Sequence, residues 1–101
     1  MFGMPTVKYL LLIHGDAREE ATESEWGAFF DAAKKSGIFE GGSELGRRDI
    51  VCNSPTINSP TKIAGFMRFK SDSRQQLDDL LAAHPVVVHG GTVELYELSE
   101  T

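Results

Sequence analysis

The sequence predicts an α+β fold with an antiparallel sheet, and three observations carry that prediction. Strand-length apolar segments recur along the chain. Two further segments show the three-and-four spacing of amphipathic helices, and the two kinds follow one another as β-α-β-β-α-β. The 101 residues are read as one domain, with 1–6 a loose leader and 7–98 the folded core.

Pro5 opposes helix in the leader, and no positive n-region with an adequate apolar stretch marks a signal peptide. Val7 to His14 (VKYLLLIH) is large and apolar over a strand's length and ends at Gly15-Asp16. Thr22 and Glu25 stand three apart as a capping box does, and Trp26, Phe29, Phe30 and Ala33 then share one helical face. Glu23 and Glu25 suit the positive end of the helix dipole, Lys34 and Lys35 the negative end, and Gly37 the C-cap. A second strand is expected over about Glu40–Arg47, with an extension to Val51 left open. Cys52 to Lys62 contains Pro55 and Pro60 and reads as a connector. Ile63 to Lys70 (IAGFMRFK) is a third strand. Ser73 and Gln76 match a second capping box ahead of the Leu77, Leu80 and Leu81 stripe, and Pro85 stops that helix at His84. Val86–Val88 reads as a short extended piece, Gly90-Gly91 as a turn, and Thr92 to Leu98 as the last strand.

This order is the ferredoxin-like split βαβ arrangement, which packs both helices on one sheet face. Strand 1 then poses a problem. Tyr9, Leu11 and Ile13 point one way, while Leu10 and Leu12 point the other with Lys8 and His14. A sheet wetted on one side should alternate apolar and polar, and this one does not. Phe66 adds to the second face, opposite in parity to Met67 and Phe69. Two helices cover one face only, so the second cover is expected to be another copy of the chain, a homodimer through the sheet faces.

Composition excludes several classes. The formal charge of −5, from 10 basic and 15 acidic residues, argues against a nucleic-acid partner. The longest apolar run, Tyr9 to Ile13, falls far short of the roughly 20 residues of a membrane span. Cys52 is the one cysteine, which forbids an internal disulfide and suits a reducing cytoplasm.

The opening Lys8-Tyr9-Leu10-Leu11-Leu12-Ile13-His14-Gly15-Asp16 resembles the start of YCII-related (DGPF-domain) proteins. His84-Pro85 followed by Gly90-Gly91-Thr92-Val93-Glu94-Leu95 resembles their close, and Ser36-Gly37, Gly41-Gly42 and Leu45 resemble their middle. The likeness spans roughly residues 7 to 98. It implies a dimeric α+β barrel with a pocket between sheet and helices. The DGPF tetrapeptide itself is absent; Asn58-Ser59-Pro60-Thr61 keeps only the proline. Some members pair a first-helix histidine with an aspartate before the later proline. Here that helix has no histidine and His84 precedes Pro85, so the pairing does not carry over.

His14, two residues before Asp16, has the chemistry of a general base whose tautomer a carboxylate could fix; the plainer reading is a strand-end hydrogen bond. His84 continues the stripe of the second helix, either as a dipole-favoured terminal residue or as a pocket acid or base near His14. His89, flanked by Gly90, reads as solvated. Arg68, charged inside a strand, either pairs across the sheet with a residue such as Glu94 or holds an anion in a cavity. Trp26 reads as core, or as the lining of a pocket mouth. No dense His or Cys spacing marks a metal site, neither Gly pair forms a phosphate cradle, and no nucleophile elbow is present, so no metal or cofactor is expected.

The resulting expectation is a cytoplasmic homodimer with a pocket for a small, partly apolar molecule. Its chemistry would be cofactor-free proton transfer or elimination, with His14 or His84 as base, Asp16 orienting, and Trp26 and Arg68 contacting the ligand. A non-catalytic ligand-binding or interaction module is the alternative. A cofactor-independent monooxygenase, as in other dimeric α+β barrels, is a weaker one.

Overall fold

The computed structural model describes residues 6–49, 51 and 62–99. Strand β1 (Val7–His14) leads into α1 (Glu23–Ser36), then β2 (Phe39–Glu44), β3 (Ile63–Ser71), α2 (Arg74–Ala82), α3 (Pro85–Val88) and β4 (Val93–Glu97). The sheet runs β2-β3-β1-β4 with each neighbouring pair antiparallel. Strand β2 is shorter than the expected Glu40–Arg47 and begins one residue earlier. The connector with its Cys52, Pro55 and Pro60, and the Asn58–Thr61 segment, lie outside the described residues.

Register fixes the two faces. Leu11 is opposite Met67 and Tyr9 opposite Phe69, and all four are buried with Ile13. Phe29 and Ala33 of α1, Leu77 and Leu81 of α2, and Val86 of α3 join the same core. Each fully buried large apolar side chain contributes about 1.5–3 kcal/mol. The opposite face carries Leu10, Leu12 and Phe66, all half-buried, beside Tyr96 at 49% and Leu98 at 40% exposure. Lys8, Arg68 and Lys70 share that face at one end.

Helix α1 forms as its sequence expects. Thr22 accepts from the Glu25 backbone, the Glu25 carboxylate accepts from the Thr22 backbone, and Gly37 closes the helix with φ 75°. Helix α2 departs in one respect. Ser73 caps the Gln76 backbone at 3.2 Å, but the Gln76 amide donates instead to the Ser36 carbonyl at the end of α1. The second box is therefore open, and its side chain ties the two helices together.

The expected extended piece at Val86–Val88 is a correction: these residues lie in α3. Pro85 occupies the first turn with φ already suited to a helix, and His84 Nδ1 accepts from the Val86 N–H as the N-cap. The turn drives Val86 into the core, and burial outweighs the strand preference of three valines.

Gly42 has a steric reason. A Cβ on Gly42 would lie 2.2 Å from the Phe66 carbonyl oxygen, so β2 reaches β3 this closely only without a side chain.

Candidate functional site

A cavity of about 890 Å³ opens where the end of β1 and the start of β3 meet the N-terminal half of α1. Ile13 and His14 come from β1, Trp26 and Phe30 from α1. Ala64, Phe66 and Met67 line it from β3, and Pro85 and Val86 from α3. Glu19, Glu20 and Glu23 also line it. The capping box places Trp26 in the first turn of α1, where its ring stacks on Phe30 at 5.8 Å. Trp26 thus stands at the cavity wall.

His14 lines this cavity with its side chain 11% exposed. Its Nε2 is hydrogen-bonded to Glu94 Oε1. Glu94 Oε2 in turn accepts from the Tyr96 hydroxyl at 2.5 Å. The Tyr96 hydroxyl and then the His14 ring hold the Glu94 carboxyl below its ordinary range, and Glu94 pushes the Tyr96 phenol up. A carboxylate does fix the His14 ring, but it is Glu94.

Asp16, expected to orient His14, has a different partner. Its two oxygens accept from the Thr92 backbone N–H at 2.8 Å and the Thr92 hydroxyl at 2.7 Å. These bonds hold its carboxyl below the ordinary range and staple the β1–α1 connection to the start of β4. The same connection is tied again at His89, whose carbonyl accepts from the Arg18 N–H and whose ring lies 2.6 Å from Glu25 and 3.6 Å from Glu19. With its side chain 18% exposed, His89 is a tether rather than the solvated residue its glycine-flanked context suggests.

His84 is completely buried behind the cavity wall, against Phe29 at 4.8 Å and Trp26 at 5.2 Å. Burial pushes its pKa down to about 4, so the ring is neutral at neutral pH. Its Nε2 is buried and has no hydrogen-bond partner among the described residues. It therefore supports Trp26 from behind, while its neighbours Pro85 and Val86 form the cavity surface.

Arg68 is exposed on the other sheet face, opposite Leu10, and donates to the Glu40 carbonyl at 3.4 Å. The expected pairing with Glu94 does not form, because Glu94 lies opposite Leu12 on β1 and its oxygens serve His14 and Tyr96. Arg68 instead borders a depression of about 120 Å³ with Lys8 and Leu98.

Of the five residues the sequence singles out, the cavity thus takes His14 and Trp26. Glu94 and Tyr96 are the additions. Their signal was present as two polar groups at alternate positions of β4, but its meaning depends on the pairing of β4 with β1. Among the described residues, no three His, Cys, Asp or Glu side chains gather as ligands to a metal would. Among them, too, no helix is long and apolar enough to cross a membrane. Neither known family models nor curated proteins give a match to this chain.

Proposed function

We propose that this chain is a YCII-like, ferredoxin-like domain that works as a homodimer in the cytoplasm, binds a small, partly apolar molecule and moves a proton with His14. The observation that carries the reading is His14 itself, a residue of the cavity wall whose imidazole has one nitrogen held by a carboxylate. Trp26 and Phe30 offer the bound molecule an apolar surface. The imidazole would take a proton from an acidic C–H or O–H of the ligand, and Glu94 would stabilise the imidazolium that forms. Returning the proton to another atom completes an isomerisation; loss of a leaving group as the electron pair moves completes an elimination. No cofactor is needed for either.

The β2-β3-β1-β4 strand order supports the ferredoxin-like assignment. The half-buried Leu10, Leu12 and Phe66, with Tyr96 beside them, support a second copy across that sheet face. Light scattering of dilute protein is expected to give twice the chain mass, and a monomer mass with no tendency to associate would remove the dimer.

A binding role without turnover is the second reading. Asp16 and His84 are committed to Thr92 and Val86, which leaves His14 without a second sequence-predicted acid or base beside it. A combined binding and turnover screen of His14→Ala separates the two. Loss of turnover with retained binding supports proton transfer by His14. Unchanged behaviour in both assays leaves the binding module.

A further inference from the structure

Glu94 and Tyr96 are two residues apart on β4, so their side chains leave the same face of the sheet. Glu94 lies opposite Leu12 and Tyr96 opposite Leu10, and His14 follows Leu12 at the same parity on β1. The three polar groups therefore form one connected row. The Tyr96 hydroxyl donates to Glu94 Oε2 at 2.5 Å, and Glu94 Oε1 meets His14 Nε2. Among the described residues, each carboxylate oxygen has one hydrogen-bond partner.

A glutamate on a partly exposed strand, 38% exposed here, would otherwise sample several rotamers. An O–H bond to a carboxylate is charge-assisted and comparatively strong, and it comes from a ring with only two side-chain torsions. An imidazole places its N–H on whichever nitrogen faces the stronger acceptor. We propose that Tyr96 is a positioning residue for His14: it pins Glu94 by one oxygen so that the other accepts the Nε2 proton, and His14 presents Nδ1 as the free base. The Tyr96 hydroxyl is also the leading cause of the low Glu94 pKa, so Glu94 stays anionic while His14 exchanges its proton. Asp16 also feels the charge of His14, but its oxygens belong to Thr92. The inference concerns how the proposed base is set up and rests on that reading, although its hydrogen bonds are testable without a substrate.

The test is the multiple-bond 1H–15N spectrum of the histidine rings in the wild type, Tyr96→Phe, Glu94→Ala and Asp16→Asn, with carboxyl 13C titration of Glu94. Tyr96→Phe removes one oxygen from a half-exposed ring and keeps the ring's packing. Neutral His14 is expected as the Nε2–H tautomer in the wild type and in Asp16→Asn. In Tyr96→Phe and Glu94→Ala it should shift toward the free-imidazole mixture, and the Glu94 midpoint should rise in Tyr96→Phe. A wild-type Nδ1–H tautomer overturns the inference, as do an unchanged His14 pattern and Glu94 midpoint in Tyr96→Phe. Either result can occur whether or not His14→Ala alters turnover, so failure here is distinct from failure of the proposed chemistry.

Discussion

His84 Nδ1 accepts the Val86 N–H at 3.2 Å, inside a shell that leaves the histidine with no solvent exposure. A ring nitrogen that accepts cannot also carry a proton. The cap of α3 and a charge on His84 are therefore mutually exclusive, and α3 supplies part of the cavity wall through Pro85 and Val86.

The first consequence is a pH-dependent stability. The folded pKa of about 4 lies below the ordinary 6.5, so the unfolded chain binds more protons between those values. The contribution of His84 is complete above about pH 6.5 and is lost as pH falls toward 4, amounting to about 3 kcal/mol across that window. Asp16, Glu25 and Glu94 have lowered pKa values and act at the acidic end of the window and below it. Urea unfolding at a series of pH values should show the loss beginning near pH 6, and His84→Gln should flatten the slope between about pH 6.5 and 5. Equal slopes in both proteins would contradict the burial argument.

Two glycines should respond in opposite directions. Gly27 lies exposed inside α1 with open space where a Cβ would go, so Gly27→Ala is expected to stabilise by about 1 kcal/mol. A Cβ on Gly91 would lie 2.5 Å from Val86 Cγ1 and 3.0 Å from the Ala17 backbone, so Gly91→Ala should cost about 1–3 kcal/mol. Thermal unfolding of the two variants beside the wild type checks both signs.

Thr22→Ala should remove about 1 kcal/mol, since it deletes the side chain that accepts from Glu25 N at 3.1 Å. Trp26 lies in the turn this cap organises, so the variant should also alter Trp26 emission and weaken whatever the cavity binds. Chemical unfolding and tryptophan fluorescence measure the two effects separately.

How far the sequence foretold this arrangement varies with how local each determinant is. Helix α1 was legible almost to the residue, because Thr22, Glu25, Gly37 and the Trp26–Ala33 stripe are determinants within one segment. Helix α3 was not. Histidine is an unusual N-cap, and three consecutive valines favour a strand until burial of Val86 decides otherwise. His14 was legible as a base, but its partner was not, because Glu94 is 80 residues away and reaches it only through the β1–β4 register. Asp16, two residues from His14, was the nearer carboxylate in sequence and turned out to hold Thr92.

The proposed function places a small molecule in the cavity between β1 and α1, with His14 at its wall. The most direct measurement is a 1H–15N NMR titration with a panel of small, partly apolar fragments, following the Trp26 indole and the His14 ring together. Fragments that bind are expected to shift both signals in parallel, and Ala64→Phe, which fills the cavity from β3, should abolish the response. Shifts confined to Lys8, Arg68 and Leu98 around the smaller depression, or no response from any fragment, would contradict it.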